Sequence, residues 1–113
     1  MAKSASPLPS ATSPRPIKRL SRLLTSENLW LYVLSLLKRS RKLYAYELDA
    51  AIEKGFGFRP NKIMIYIVLY KLEGEGLIRS EFLERRKYYA LTEKGGSALE
   101  AARGYFRNLS SKL

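Results

Sequence analysis

A mainly helical α+β fold, three helices followed by a small β-hairpin and a closing helix, is the class this 113-residue sequence predicts. Three observations carry that reading. Apolar residues recur at helical spacing in three successive segments between Leu29 and Leu72. Two short alternating runs, LIRSEFLE and RKYYAL, then meet through Glu84-Arg85-Arg86, as strands of a hairpin do. Directly behind them Thr92 and Glu93 carry the signal of a new helix start.

The elements follow in order. Residues 1–24 read as a disordered basic arm, because four of the five prolines lie in the first sixteen positions among Ser, Ala and Thr. The arm ends in a basic cluster, Arg15, Lys18, Arg19 and Arg22, of the kind that enters a minor groove or simply solubilises a terminus. No apolar run resembles a secretory signal. A folded domain is expected over 25–113. Ser26 is placed to cap the first helix, with Glu27 at the positive end of its dipole. Leu29, Val33, Leu36 and Leu37 form its stripe, and it runs to about Arg39. The charge run Lys38-Arg39-Ser40-Arg41-Lys42 follows as a corner.

YELDAAIEKG predicts a second helix on Leu48, Ala51 and Ile52, stopping at Gly55. A third runs from about Asn61 to Glu73. Pro60 suits its first turn and Asn61 is an alternative cap. It is apolar almost all round, with Ile65, Val68, Leu69 and Leu72 as the stripe for the core. The GEG at Gly74–Gly76 ends it. On the second strand of the hairpin Tyr88 and Ala90 point one way, Tyr89 and Leu91 the other. The last helix begins at about residue 92 and carries Leu99, Ala102, Phe106 and Leu109. Its glycines at 95, 96 and 104 weaken it.

Composition narrows function. The chain has no cysteine and no histidine, and its only aspartate is Asp49. Disulfides, thiolate zinc sites and imidazole acid–base chemistry are excluded. No acid–base constellation marks an enzyme, and no cofactor is called for. Neither LWLYVLSLL nor IMIYIVLY approaches the roughly 20 residues of a membrane-spanning helix. The formal charge is +11, and residues 27–113 alone keep +6. Such a field attracts polyanions, with double-stranded DNA the leading partner and an anionic membrane surface the weaker competitor. The chain has no glutamine and three asparagines. With its basic and aromatic richness this fits a thermophilic source.

Three helices, a basic hairpin and an immediate further helix are the order of a winged helix-turn-helix. The third helix would enter the major groove. Asn61, Lys62 and Tyr66 are its candidate readers, with Ile63 or Ile67 against thymine methyls. Tyr70, Lys71 and Arg59 flank them. Arg85, Arg86 and Lys87 at the wing tip, and Arg41 and Lys42 at the earlier corner, are expected on phosphates or in a minor groove.

From Leu29 to Leu99 the chain resembles the PadR-like family of winged-helix transcription regulators. YAYEL (Tyr44–Leu48), IYIVLYKLEGEGLI (Ile65–Ile78), KYYALTEKG (Lys87–Gly95) and the helix behind them carry the resemblance. Tyr66, Leu69, Leu72 and Glu73 match the family's recognition helix. Lys71 replaces its arginine, Met64 its threonine and Ile67 its proline. The resemblance implies a homodimer built through C-terminal helices on a two-fold symmetric operator, and a cytoplasmic, nucleoid-associated location is expected. Independently, the stripe Leu99, Ala102, Phe106 and Leu109 wants a partner.

A small-molecule effector, which the family also implies, would call on Trp30, Tyr32, Tyr105 and Phe106, although aromatics at this spacing more often form core. The alternatives are a weakly specific chromatin-like DNA-binding protein and a winged-helix protein-assembly module.

Overall fold

The computed structural model describes residues 10–113. Helix α1 spans Arg15–Leu24, and α2 spans Leu29–Ser40 after a single 3-10 turn at Ser26–Asn28. Strand β1, Lys42–Tyr44, leads through a 3-10 turn at Ala45–Glu47 into α3, Leu48–Phe56. Helix α4 covers Lys62–Gly74. The hairpin strands are β2, Ile78–Leu83, and β3, Arg86–Leu91, and α5 runs over Glu93–Lys112. The sheet is antiparallel with order β1-β3-β2.

Helix α2 is the axis of the core. Val33, Leu34 and Leu37 are essentially inaccessible, and α3, α4, α5 and β3 pack around them. Leu48 and Ile52 come from α3, Ile65, Leu69 and Leu72 from α4, Ile78 and Tyr89 from the sheet, and Leu99 from α5. Truncating one such leucine to alanine removes about 2–5 kcal/mol, a large share of the stability of a domain this small.

Local chemistry places the ends of these helices. Asn61 caps α4, its Oδ1 accepting from Ile63 N–H at 2.7 Å and Met64 N–H at 3.3 Å. Its far end closes through Gly76 in the left-handed region, with Leu77 N–H donating to the Leu72 carbonyl and Gly76 N–H to that of Glu73. Thr92 caps α5 by accepting from Gly95 N–H at 3.0 Å, while its own hydroxyl donates to the Gly76 carbonyl at 2.6 Å. The wing therefore starts and ends on one hydrogen-bonded knot. Gly95 is required there: a Cβ would run into the Leu77 carbonyl oxygen and lie 2.8 Å from Leu91 Cδ1.

Several expectations need correction. Residues 15–24 are helical rather than part of a disordered arm, because Pro16 sits in the first turn, where the missing N–H removes no helical bond. The part of the arm at 1–9 lies outside the described residues. Ser26 is the first residue of the 3-10 turn, and Asn28 precedes α2 without a side-chain cap. Strand β1 was not anticipated. Helix α3 passes Gly55 and ends at Gly57, whose φ of 87° makes the left-handed cap. Helix α5 runs unbroken through Gly95, Gly96 and Gly104.

Candidate nucleic-acid interface

Two helical stripes divide α4. Ile65, Val68, Leu69 and Leu72 face the core, and Ile63, Tyr66, Ile67 and Tyr70 repeat the same spacing on the open side. Ile63 is 70% exposed and Tyr70 81%. Lys71, with Met64, Ile67 and Trp30, borders a groove of about 530 Å³ between α4, the start of α2 and α5.

The polar residues entering α4 are already engaged. Asp49, with a side chain only 4% exposed, receives Arg59 Nη2 at 3.1 Å and Nε at 3.3 Å, and Lys62 Nζ at 3.2 Å. Its other oxygen accepts Ala50 N–H at 2.8 Å. Arg59 also reaches Glu53 at 3.0 Å. Burial pushes the Asp49 carboxyl up, but hydrogen bonds from Lys62, Ala50 N–H and Arg59 outweigh it and the net direction is down. Lys62 opens α4, at the end whose dipole disfavours a cation, and Asp49 offsets that conflict. Asn61 holds the cap. Arg59, Asn61 and Lys62 are thus corner braces first.

The wing differs. Leu83 pairs with Arg86, so Glu84 and Arg85 form a two-residue turn, with φ of 53° and 70°. Both central residues at positive φ fit the twist of a tight hairpin, a place that favours Asn-Gly. Neither residue is glycine or asparagine, and the strained apex displays a guanidinium instead.

Arg86 is held from below. Tyr44 of β1 lies opposite Tyr88 of β3, their rings stacked at 4.2 Å between centroids and their hydroxyls hydrogen-bonded. Tyr46 stacks on Tyr44 at 5.2 Å. The Arg86 guanidinium lies 5.0 Å from the Tyr44 ring centre and Lys42 Nζ 4.8 Å from that of Tyr88. The bond to Tyr44 pushes the Tyr88 hydroxyl up to about 12, and the bonds from Tyr88 and Arg86 lower Tyr44. On the opposite face Lys87 Nζ lies 5.6 Å from the Tyr89 ring and 5.9 Å from that of Phe82. Arg41 sits at φ 66° where α2 turns into β1. Tyr44, Tyr46 and Tyr88 were missed as a unit because only β1 brings them together. The signal available was a run of tyrosines flanking the basic segments.

On α5, Leu99 is buried in this chain's own core and Ala102 is half-buried, while Phe106 and Leu109 are exposed beside Tyr105. On α1, Ile17, Leu20 and Leu23 are exposed as well. The four aromatics considered for an effector do not converge. Tyr32 meets Phe56 and Phe58 edge-on and donates to the Leu24 carbonyl, and with Phe106 it borders a groove along α2 and α5. Trp30 donates to Asn28 Oδ1 and borders the α4 groove instead, and Tyr105 lies farther along α5.

Residues 33–101 match the model of the transcriptional regulator PadR-like family. No curated protein matches the chain. Among solved structures, a PadR family transcriptional regulator from Eggerthella lenta DSM 2243 superposes with a TM-score of 0.73 at 25% identity, over 86% of this chain and 88% of that one. A PadR family transcription regulator from Clostridium difficile R20291 does so with a TM-score of 0.67 at 25% identity, over 74% and 91%. F93 from STIV, described as a winged-helix DNA-binding protein, shares the fold with a TM-score of 0.65 at 23% identity, over 74% and 90%. With three helices, a hairpin wing and a family match over more than half its length, the chain belongs to the PadR-like family of transcriptional regulators, which are not enzymes.

Proposed function

We propose that the protein is a homodimeric, sequence-specific DNA-binding regulator that lays α4 in the major groove and sets its wing on the backbone or in the adjacent minor groove. The observation that carries this reading is the wing apex. Three consecutive cations cap the wing: Arg85 on a turn held at unfavourable φ, and Arg86, braced against Tyr44, and Lys87 at the start of β3. Among the described residues none of the three has an acidic partner within 4 Å. Cations without an acidic partner at a projecting hairpin tip are what phosphate contacts use. The dimer reading is supported by the two uncovered apolar faces, on α5 and on α1.

Selection from a random duplex library tests the proposal. A two-fold symmetric winner bound by two chains supports it. Uniform enrichment with steep salt dependence points to weakly specific, chromatin-like binding, and no enrichment sends the search to protein partners.

A further inference from the structure

The open face of α4 is hydrocarbon and phenol, which restricts what it can read. Across Lys62–Gly74 there is no Arg, Asn, Gln, Ser, Thr or Asp. Glu73 accepts from Ser80 at 2.6 Å, and Lys62 is drawn to Asp49. Just upstream, Asn61 is held in the cap and Arg59 is bound by Asp49 and Glu53. A guanine in the major groove is read by a free Arg or Lys fork on O6 and N7, and an adenine by the amide of Asn or Gln. The N-terminal half of α4 offers neither. It offers the exposed methyl groups of Ile63 and Ile67 and the hydroxyl of Tyr66, with that of Tyr70 one turn farther along the same stripe; Lys71, the exposed lysine beside Tyr70, borders the groove against α2 and α5 instead. Thymine is the base that presents a methyl group in that groove, with its O4 acceptor alongside.

We propose that α4 selects thymine-rich steps by their 5-methyl groups, through Ile63 and Ile67, with Tyr66 and Tyr70 hydroxyls donating to O4 or to adenine N7. This rests on the DNA-binding reading above and names the class of duplex that reading leaves open. Burying one methyl group is worth about fourfold in affinity.

The test takes the duplex enriched by selection and replaces its thymines one at a time with deoxyuridine, which removes the methyl and keeps the pairing. Affinity for wild type should fall about fourfold at each contacted position. In Ile63→Ala the penalty should disappear at one of those positions while the others keep theirs. Ile63 is 70% exposed, so this variant folds as wild type does. Equal binding of thymine and uracil duplexes overturns the proposal and leaves the DNA-binding reading intact. A uracil penalty that persists in Ile63→Ala and Ile67→Ala at every position also overturns it, since it would report duplex shape. Failure to enrich any duplex removes both readings together.

Discussion

Replacing Asp49 with asparagine keeps the shape of the side chain and deletes its charge. The oxygen facing Ala50 N–H survives, but an amide N–H₂ now points at the Arg59 and Lys62 donors that Asp49 holds at 3.1 and 3.2 Å. Breaking a fully buried ion pair by removing one partner costs about 3–5 kcal/mol. Here Asp49 is 4% exposed, but the Arg59 and Lys62 side chains are 51% and 58% exposed, so both cations rehydrate. The expected loss is therefore smaller, about 2 kcal/mol, or roughly 8–10 °C in Tm for a domain of this size.

The effect is pH-dependent with a definite sign. The folded carboxyl titrates below its ordinary value, so its contribution is complete above about pH 4 and is lost as pH falls through the folded pKa. Thermal melts of wild type and Asp49→Asn should differ most at pH 7 and converge in strong acid, once the pH has fallen below the point at which the folded carboxyl titrates. A gap of equal size at pH 7 and in strong acid, or no gap at pH 7, would show that Asp49 does not organise this corner through its charge.

Four further outcomes are expected. Changing Glu84-Arg85 to Asn-Gly relieves two residues of positive φ and should raise stability by about 1 kcal/mol, while DNA affinity falls; denaturant melts and a binding titration read the two effects separately. Arg86→Ala should weaken all duplexes alike and flatten the slope of log affinity against log salt by about one unit. Tyr44→Phe, which keeps the ring under Arg86 but loses the hydroxyl bonded to Tyr88, should weaken binding without changing that slope. Phe106→Glu on the exposed part of α5 should shift sedimentation towards the monomer while leaving the far-ultraviolet circular dichroism unchanged.

Elements with a local signal were legible in the sequence. Asn61 and Thr92 are side chains whose oxygens cap the backbone a few residues on, and each precedes an apolar period. The hairpin was legible from its alternation, which separates Tyr89 from Tyr88; that the Tyr89 side is the one that meets the core came only with the packing. What failed depends on distant partners or on a residue with two meanings. Lys42-Leu43-Tyr44 is a strand only because Ala90, Tyr89 and Tyr88 pair with it, and its own residues read as a charged corner. Pro16 suggested disorder, yet the stripe Ile17, Leu20 and Leu24 already had helical spacing.

On α4, the spacing puts Tyr66 and Tyr70 off the core stripe, and both are exposed. Arg59 and Lys62 could not be read as partners of Asp49, because the bend between α3 and α4 brings them together. The chain's single aspartate, ten residues before Arg59, was the one available hint. The division of Leu99 from Phe106 and Leu109 likewise needed the packing of α5 on α2, which buries only the first.

Whether this chain binds a specific duplex is read most directly from its affinity for the selected duplex and a scrambled one at roughly 50 and 200 mM salt. Tighter binding to the selected sequence by about a thousandfold or more, with both affinities falling as salt rises, is the expected result. Equal affinity for the two duplexes at both salt concentrations would contradict it.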